Sequence, residues 1–381
     1  MSGPTDRLTP RSVRRGAALA CVFAGVLMSG AATGSWVEDP EPGGGGWAGR
    51  APGEAAGDDS APRDAGDAAR LVSRSGDRWA AAYSPQEYER LRLSLEGEYV
   101  GTGIAVSRTP DGRIVVGEVH AGSPAEEAGI LPGDEILTID GAGLDGGAVT
   151  DAVGRLRGSD LPTAAGPGST VLLGLARAGE RWETEVARAR LTAETVTVTR
   201  EVPGVTRIHV SSFSRGAADQ LREAVERVPA GDAVLLDLRG NGGGLLTEAA
   251  RAASVFLDGG LVATYDVHGD QRALHAEPGG DTGTPLVVLV DGGTMSSAEL
   301  LAAALQDRNR AVLVGSRTFG KGTVQMPSEQ PDGSVAELTV GHYVTPSGRT
   351  VDQERPVEPD LPVGAGEDAE AKARTVLAGL A

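Results

Sequence analysis

The chain has 381 residues, a net charge of −18 and only 3% aromatic residues. The acidic balance argues against nucleic acid as a partner and is more naturally a solubility feature. One cysteine, Cys21, excludes disulfides and a cysteine nucleophile from everything beyond the N-terminal region, and no His-Glu-x-x-His or Cys/His cluster calls for a metal, so no cofactor is expected.

Residues 1–35 form the first segment. Arg11, Arg14 and Arg15 precede an apolar run from Gly16, which makes a basic flank and a hydrophobic core. Two readings stay open: a signal peptide cleaved near Gly30–Ala32, or an uncleaved anchor through residues 16–36. Either places the protein outside the cytoplasm, secreted or held on the outer face of the cytoplasmic membrane. Residues 36–70 are rich in Gly, Pro, Ala and Asp and read as a flexible acidic linker. Residues 71–95 read as an N-terminal helical segment, with Ser84-Pro85 opening a helix through Leu93.

Residues 96–190 form the next unit. Gly101 and Gly103 flank a turn, Gly101-Thr102-Gly103-Ile104, whose amides can hold a carboxylate. The strand from Ile104 to Ser107 can pair with an added peptide strand, and a helix around Thr150–Leu156 would wall the other side. The stretch 159–168 is a longer loop whose role is not legible. Residues 191–365 alternate strands and helices: a strand at Arg207–Ser211, a helix at 215–228, a strand at Ala233–Leu238 and a helix at 245–256. Strands follow near 261–266 and 271–276. Leu286–Asp291 is a continuous apolar strand, and a strong helix pattern begins near Ser296. Strands at 311–315, 323–329 and 334–344 complete an α/β core. Residues 366–381 are a C-terminal helix or tail. Val, Leu, Ile and Ala over about 290 residues are enough for two cores, so the whole is α+β.

Two features carry chemistry. The chain has 33 arginines and two lysines, Lys321 and Lys372. A lysine can lose its proton in a protein and an arginine cannot, so a lysine here is a candidate for work that needs a neutral amine. Lys372 has an ordinary explanation in an exposed helix, with Asp368 as ion-pair partner. Lys321 lies between two glycines in Thr318-Phe-Gly-Lys-Gly-Thr-Val-Gln325 and has no helical partner. Ser296 and Glu299 make a Ser-x-x-Glu capping box before an apolar run. A serine at a helix N-terminus also sits among free amides that stabilise an oxyanion, though it needs a base. None of the five histidines stands in a triad-like context.

Three segments carry a resemblance: Asp237-Leu-Arg-Gly-Asn-Gly-Gly-Gly-Leu-Leu246, Gly293-Thr-Met-Ser-Ser-Ala-Glu299 and Val314-Gly-Ser-Arg-Thr-Phe-Gly-Lys-Gly-Thr-Val-Gln325. They resemble the carboxyl-terminal processing proteases, serine peptidase family S41. The resemblance implies a crotonase-like core with Ser296 as nucleophile, Lys321 as general base and Gln325 as its support. It assigns the oxyanion hole to the backbone amides of Gly243 and Ser297. One departure stands out: Thr-Met-Ser-Ser-Ala-Glu replaces the family's usual Ser-Ala-Ser-Ala-Ser-Glu, so Ser297 is a second candidate hydroxyl. Tyr99-Val-Gly-Thr-Gly-Ile-Ala-Val and Gly122-Ser-Pro-Ala-Glu-Glu-Ala-Gly-Ile-Leu-Pro-Gly-Asp-Glu-Ile-Leu-Thr-Ile-Asp-Gly141 resemble a PDZ domain, a β-sandwich or barrel with helices. The expected function is an exported serine endopeptidase acting on envelope or secreted proteins with flexible C-terminal tails. The PDZ would recognise that tail or regulate the enzyme. The competing readings are a PDZ adaptor on a dead protease core and a crotonase-type acyl-CoA enzyme. The oligomeric state stays open, a homodimer included.

Overall fold

The computed structural model describes residues 66–144, 148–158, 165–364 and 366–380. The N-terminal apolar segment, nearly all of the 36–70 linker and residues 159–164 of the long loop lie outside these. Helix α1 (Asp67–Ser75) leads to strand β1 (Ala81–Tyr83) and helix α2 (Pro85–Leu95). The helical segment expected over 71–95 is therefore broken. Ala81–Tyr83 pairs antiparallel with Val335–Glu337, so a long-range ladder overrides the local pattern. Helix α2 starts where the sequence says: Ser84 and Glu87 close a complete capping box, with Pro85 in the first turn.

The following unit contains β2 (Glu98–Gly101), β3 (Ile104–Arg108), β4 (Ile114–Val119), α3 (Pro124–Glu127), β5 (Glu135–Ile139), β6 (Ala142–Gly143) and α4 (Val149–Arg157). It continues through β7 (Thr170–Arg177), β8 (Glu180–Ala187) and β9 (Ala189–Thr192). The sheet order is β3-β4-β5-β7-β8, with β6 on β5, and β2 pairs separately with β9. Its own core gathers Val116, Ile130, Ile139, Leu156, Leu173 and Leu175. Strand β3 lies at the sheet edge, and α4 packs beside it.

The second half begins with β10 (Val196–Val202), β11 (Val205–Val210), α5 (Ala217–Glu226), β12 (Ala233–Asp237) and α6 (Leu246–Phe256). Next come β13 (Gly260–Val267), β14 (Asp270–Ala276), β15 (Leu286–Val290), α7 (Ser297–Asp307) and β16 (Val312–Gly315). Strands β17 (Thr323–Glu329), β18 (Val335–Val344) and β19 (Leu361–Pro362) precede helix α8 (Ala369–Leu380). Strands β10-β11-β12-β15-β16-β19 make one sheet, parallel from β11 onward. Strands β12 and β15 are buried on both faces, hence their unbroken apolar runs. Val234, Leu236, Leu286 and Val288 face α5, α6 and α7. Leu235, Val287 and Leu289 face Ala373 and Leu377 of α8. The C-terminal helix is thus a docked layer rather than an exposed one. Lys372 Nζ meets Pro362 O at 2.9 Å and Glu367 at 3.4 Å, so its ion-pair partner is Glu367 and not Asp368. A second sheet, β1-β18-β13-β14 with β17 on β18, packs alongside.

The loops that leave the carboxyl ends of β12, β15 and β16 meet at one place. That is where an open parallel sheet offers a crevice. These loops hold Gly243, Ser296 and Lys321.

Candidate active site

The β15–α7 turn is built by Asp291 and Thr294. Asp291 Oδ1 accepts the amides of Gly240 and Gly293, both at 2.9 Å, and Thr294 Oγ1 donates to Leu238 O at 2.9 Å. The turn after β15 is thereby tied to the loop after β12. Met295 N also donates to Asn241 O. Ser296 follows with φ +56° and ψ −119°, a backbone state that non-glycine residues rarely hold. Such strain persists only where the surroundings over-determine it. Here both backbone groups of Ser296 are pinned: its N–H donates to Glu299 Oε2 at 2.9 Å, and its C=O accepts from the buried Tyr343 hydroxyl at 3.1 Å.

The capping box expected at Ser296 is therefore only half formed. Glu299 takes the Ser296 amide, but Ser296 Oγ makes no cap bond. Ser84 carries the same Ser-x-x-Glu pattern and does cap, with φ −64°. The positive φ at Ser296 swings the hydroxyl away from the helix and leaves it partly exposed and unspent.

Glu299 is fully buried and holds four donors. Oε2 takes the Ser296 and Lys321 amides, the latter at 2.8 Å. Oε1 takes the Gly320 amide at 2.7 Å and the Thr318 hydroxyl at 2.5 Å. One carboxylate thus joins the start of α7 to the loop bearing Lys321. The glycines around Lys321 answer to a second strand of chain. A Cβ on Gly320 would lie 2.5 Å from Asp352 O, and one on Gly322 would lie 2.1 Å from Val351 O.

Lys321 is mostly buried, and burial holds its amine below the ordinary lysine range. The carboxylates of Glu337, Asp77 and Glu299 oppose that shift without cancelling it. Its Nζ lies 5.8 Å from the Trp79 ring centroid and is not hydrogen-bonded to Ser296 Oγ. Such contacts are often loose without substrate and tighten when it binds. Gln325 sits beyond a register shift in β17, and its Nε2 donates to Trp79 O rather than to Lys321.

The amides expected to hold an oxyanion differ from each other. Ser297 is the first residue of α7, where an amide has no partner inside the helix. Gly243 N donates to the Asn241 side chain at 2.8 Å, so that amide is shared rather than free. Gly243 is nonetheless needed against Ser296: a Cβ there would lie 2.9 Å from Met295 O and 3.0 Å from Ser296 Cβ. The Ser297 hydroxyl is buried and has no partner. No group of His, Cys, Asp and Glu among the described residues is arranged to hold a metal.

On the other sheet, Gly101, Thr102, Gly103 and Ile104 form the turn into β3. Gly103 has φ +87°, and a Cβ there would lie 2.2 Å from Ser123 Cβ. Thr102 O accepts from Ala125, and Gly103 O accepts from His120. Arg157, at the end of α4, lays its guanidinium 4.9 Å from the Tyr99 ring centroid at the back of this turn. Sequence reasoning missed Tyr343, Asn241, Trp79 and Arg157, and saw Glu299 only as a cap partner. Tyr343, Trp79 and Arg157 act across more than 30 residues of sequence, where no local pattern reports them, whereas the Asn241 side chain acts on Gly243, two residues on.

Residues 204–363 match Peptidase family S41, and residues 91–162 match the PDZ domain. The chain is 32% identical over 286 residues to the carboxy-terminal processing protease CtpA of Bacillus subtilis, covering 74% of this chain and 60% of that one. It is 34% identical over 291 residues to the carboxyl-terminal-processing protease of Picosynechococcus, covering 72% and 67%. The chain therefore spans about three fifths of the length of the Bacillus relative. A putative S41 protease from Bacteroides fragilis shares its fold, with a TM-score of 0.51 at 18% identity over 85% of this chain and 93% of that one.

The Glu299 clasp gives a direct expectation. In Glu299→Gln the better amide orientation puts NH2 in place of Oε1, where the Thr318 hydroxyl can turn to accept and only the Gly320 N–H is orphaned. An orphaned buried donor costs about 1–3 kcal/mol, so the variant should lose about that much. Thermal unfolding should then fall by roughly 3–10 °C. A melting point within about 1 °C of wild type would show that the clasp contributes little.

Proposed function

The chain belongs to peptidase family S41, the carboxyl-terminal processing proteases, and carries a PDZ domain. From that premise we propose that it is an exported serine endopeptidase working through a Ser296–Lys321 dyad on a crotonase-like core. The observation that carries this reading is the strained, unspent Ser296 hydroxyl, clamped by Glu299 to the loop of a buried lysine. Ser296 Oγ attacks the peptide carbonyl. Neutral Lys321 accepts the hydroxyl proton and delivers it to the leaving amine. The resulting acyl-enzyme is hydrolysed by water, with Lys321 again taking and returning a proton. The Ser297 amide supplies one oxyanion bond; Gly243 supplies the second by sharing its N–H with Asn241. Gln325 supports Lys321.

The substrates are envelope or secreted proteins with flexible C-terminal tails. The turn at Gly101–Ile104 takes the terminal carboxylate, and the open edge of β3 pairs with the tail. Arg157 provides a fixed positive charge near that turn. A PDZ adaptor on an inactive core would not need a clasped, strained Ser296 opposite a buried lysine. An acyl-CoA enzyme has no use for the PDZ groove. No helix among the described residues is long and apolar enough to cross a membrane, so an anchored form relies on residues 16–36.

Cleavage of an unfolded protein, followed by mass spectrometry, tests the dyad. Ser296→Ala should abolish turnover and leave the melting point nearly unchanged, because Oγ makes no cap bond. Ser297→Ala should keep most activity, since its amide remains and its orphan hydroxyl contributes no bond. Persistent cleavage by Ser296→Ala, with loss in Ser297→Ala, would transfer the nucleophile to the neighbouring hydroxyl.

The PDZ reading has its own test. Amidating the C-terminus of a bound peptide removes charge-assisted bonds to the turn and should weaken binding about tenfold or more. Equal affinity of the acid and amide peptides, measured by calorimetry on the full chain, would remove tail-carboxylate recognition.

A further inference from the structure

Gln325 does not reach Lys321. Its Nε2 donates to the backbone carbonyl of Trp79, 246 residues earlier in the chain. The Trp79 ring in turn lies 5.8 Å from Lys321 Nζ and 5.6 Å from the Phe319 ring. The short segment carrying Trp79 is braced by one bond of its own and fastened at two further points. Asp77 Oδ1 accepts the Trp79 amide at 2.9 Å, Asp77 Oδ2 accepts the Thr339 amide at 2.6 Å, and Arg78 Nη2 donates to Gln353 Oε1 at 2.6 Å. Gln353 adjoins Asp352, whose carbonyl crosses Gly320. The segment is therefore bonded to β17, to β18 and to the chain beneath the lysine loop.

We propose that Trp79 is a positioning residue for Lys321: its indole closes one side of the lysine's site, and Gln325 holds that wall in place. The inference rests on Lys321 being the base. An indole contributes two opposed effects to an amine. Its body excludes water, which disfavours the ammonium form. Its π face attracts an ammonium, but only weakly near 6 Å. A second cation also lies over the ring: the Arg78 guanidinium carbon is 4.9 Å from the centroid. The charged groups facing Lys321 are Glu337 of β18, Asp77 of the strap and Glu299 of α7, and all three favour the ammonium. The amine is still held below its ordinary range, so water exclusion prevails, and we assign part of that exclusion to the adjacent Trp79 ring. Glu337 is itself partly buried, accepts the Tyr83 hydroxyl of β1 at 3.2 Å, and is pushed up by burial.

The test exploits the lysine count. The full chain is trace-acylated with acetic anhydride over a pH series, and the extent at Lys321 and Lys372 is read by mass spectrometry. Lys372, on α8, is the internal reference. In Trp79→Ala the rise of Lys321 reactivity should move upward by about one pH unit or more. Gln325→Ala should move it the same way, and the double variant no further than the larger single one. Trp79→Phe keeps a ring in place and should track wild type. Gln325→Ala carries the expectation independently if Trp79→Ala fails to fold. Superimposable Lys321 profiles in wild type and the single variants would overturn the proposal, as would a shift in Trp79→Phe as large as in Trp79→Ala. The pH profile of kcat/KM on a protein substrate separates this from the dyad itself. Cleavage that requires Lys321, with a profile unmoved by Trp79→Ala, sinks only the wall. Cleavage indifferent to Lys321 sinks the base, and the acylation series still decides the wall.

Discussion

The candidate active site depends on one buried carboxylate. Glu299 accepts four hydrogen bonds, and they come from two places that the sequence separates by about twenty residues. A carboxylate taken out of water is costly unless its lone pairs are filled. That demand fixes the backbone of Ser296 against the backbone of Lys321. The strained φ of Ser296 follows, since its amide must turn toward Glu299 while its carbonyl meets Tyr343. The freed hydroxyl follows from the strain. The two glycines beside Lys321 follow as well, because the loop can reach Glu299 only by passing close over Val351 and Asp352.

Much of this was legible in the sequence. The apolar runs of β12 and β15 are those of strands buried on both faces, and their alternate residues face two different helical layers. The Ser-x-x-Glu signal correctly located the start of α7. It misreported the local bonding, because a capping box presumes an extended φ at its serine and Ser296 does not have one. The same signal at Ser84 reads correctly, since nothing there forces the backbone. Propensity also concealed β1: three residues gain strand geometry only from their ladder to β18. The exposed reading of the final helix failed because it followed the charges around Lys372, whereas Ala369, Ala373, Val376 and Leu377 recur at i, i+4, i+7 and i+8 and pack on the sheet.

The contacts hardest to read were those made by backbone groups. Gln325 was expected to support the lysine, and its bond to Trp79 O instead cannot be inferred from any residue type. The same holds for Asn241, whose side chain occupies the Gly243 amide and changes what that amide can offer an oxyanion. Arginine supplies nearly all the positive charge, 33 residues against two lysines, as in Asp237 with Arg207 and Arg239. The isolation of Lys321 in such a chain is what makes it a candidate for protonation chemistry.

The proposed dyad requires Lys321 to act as a neutral base. Lys321→Arg tests it most directly, because Glu299 holds the backbone amide at 321, which the substitution leaves intact. Positive charge is kept, and only the capacity to accept a proton is lost. The measurement is kcat/KM for cleavage of an unfolded protein by wild type and by the folded variant. The dyad predicts loss of cleavage to the level of Ser296→Ala; activity within about tenfold of wild type would contradict it, since general-base catalysis contributes 10²–10⁴-fold.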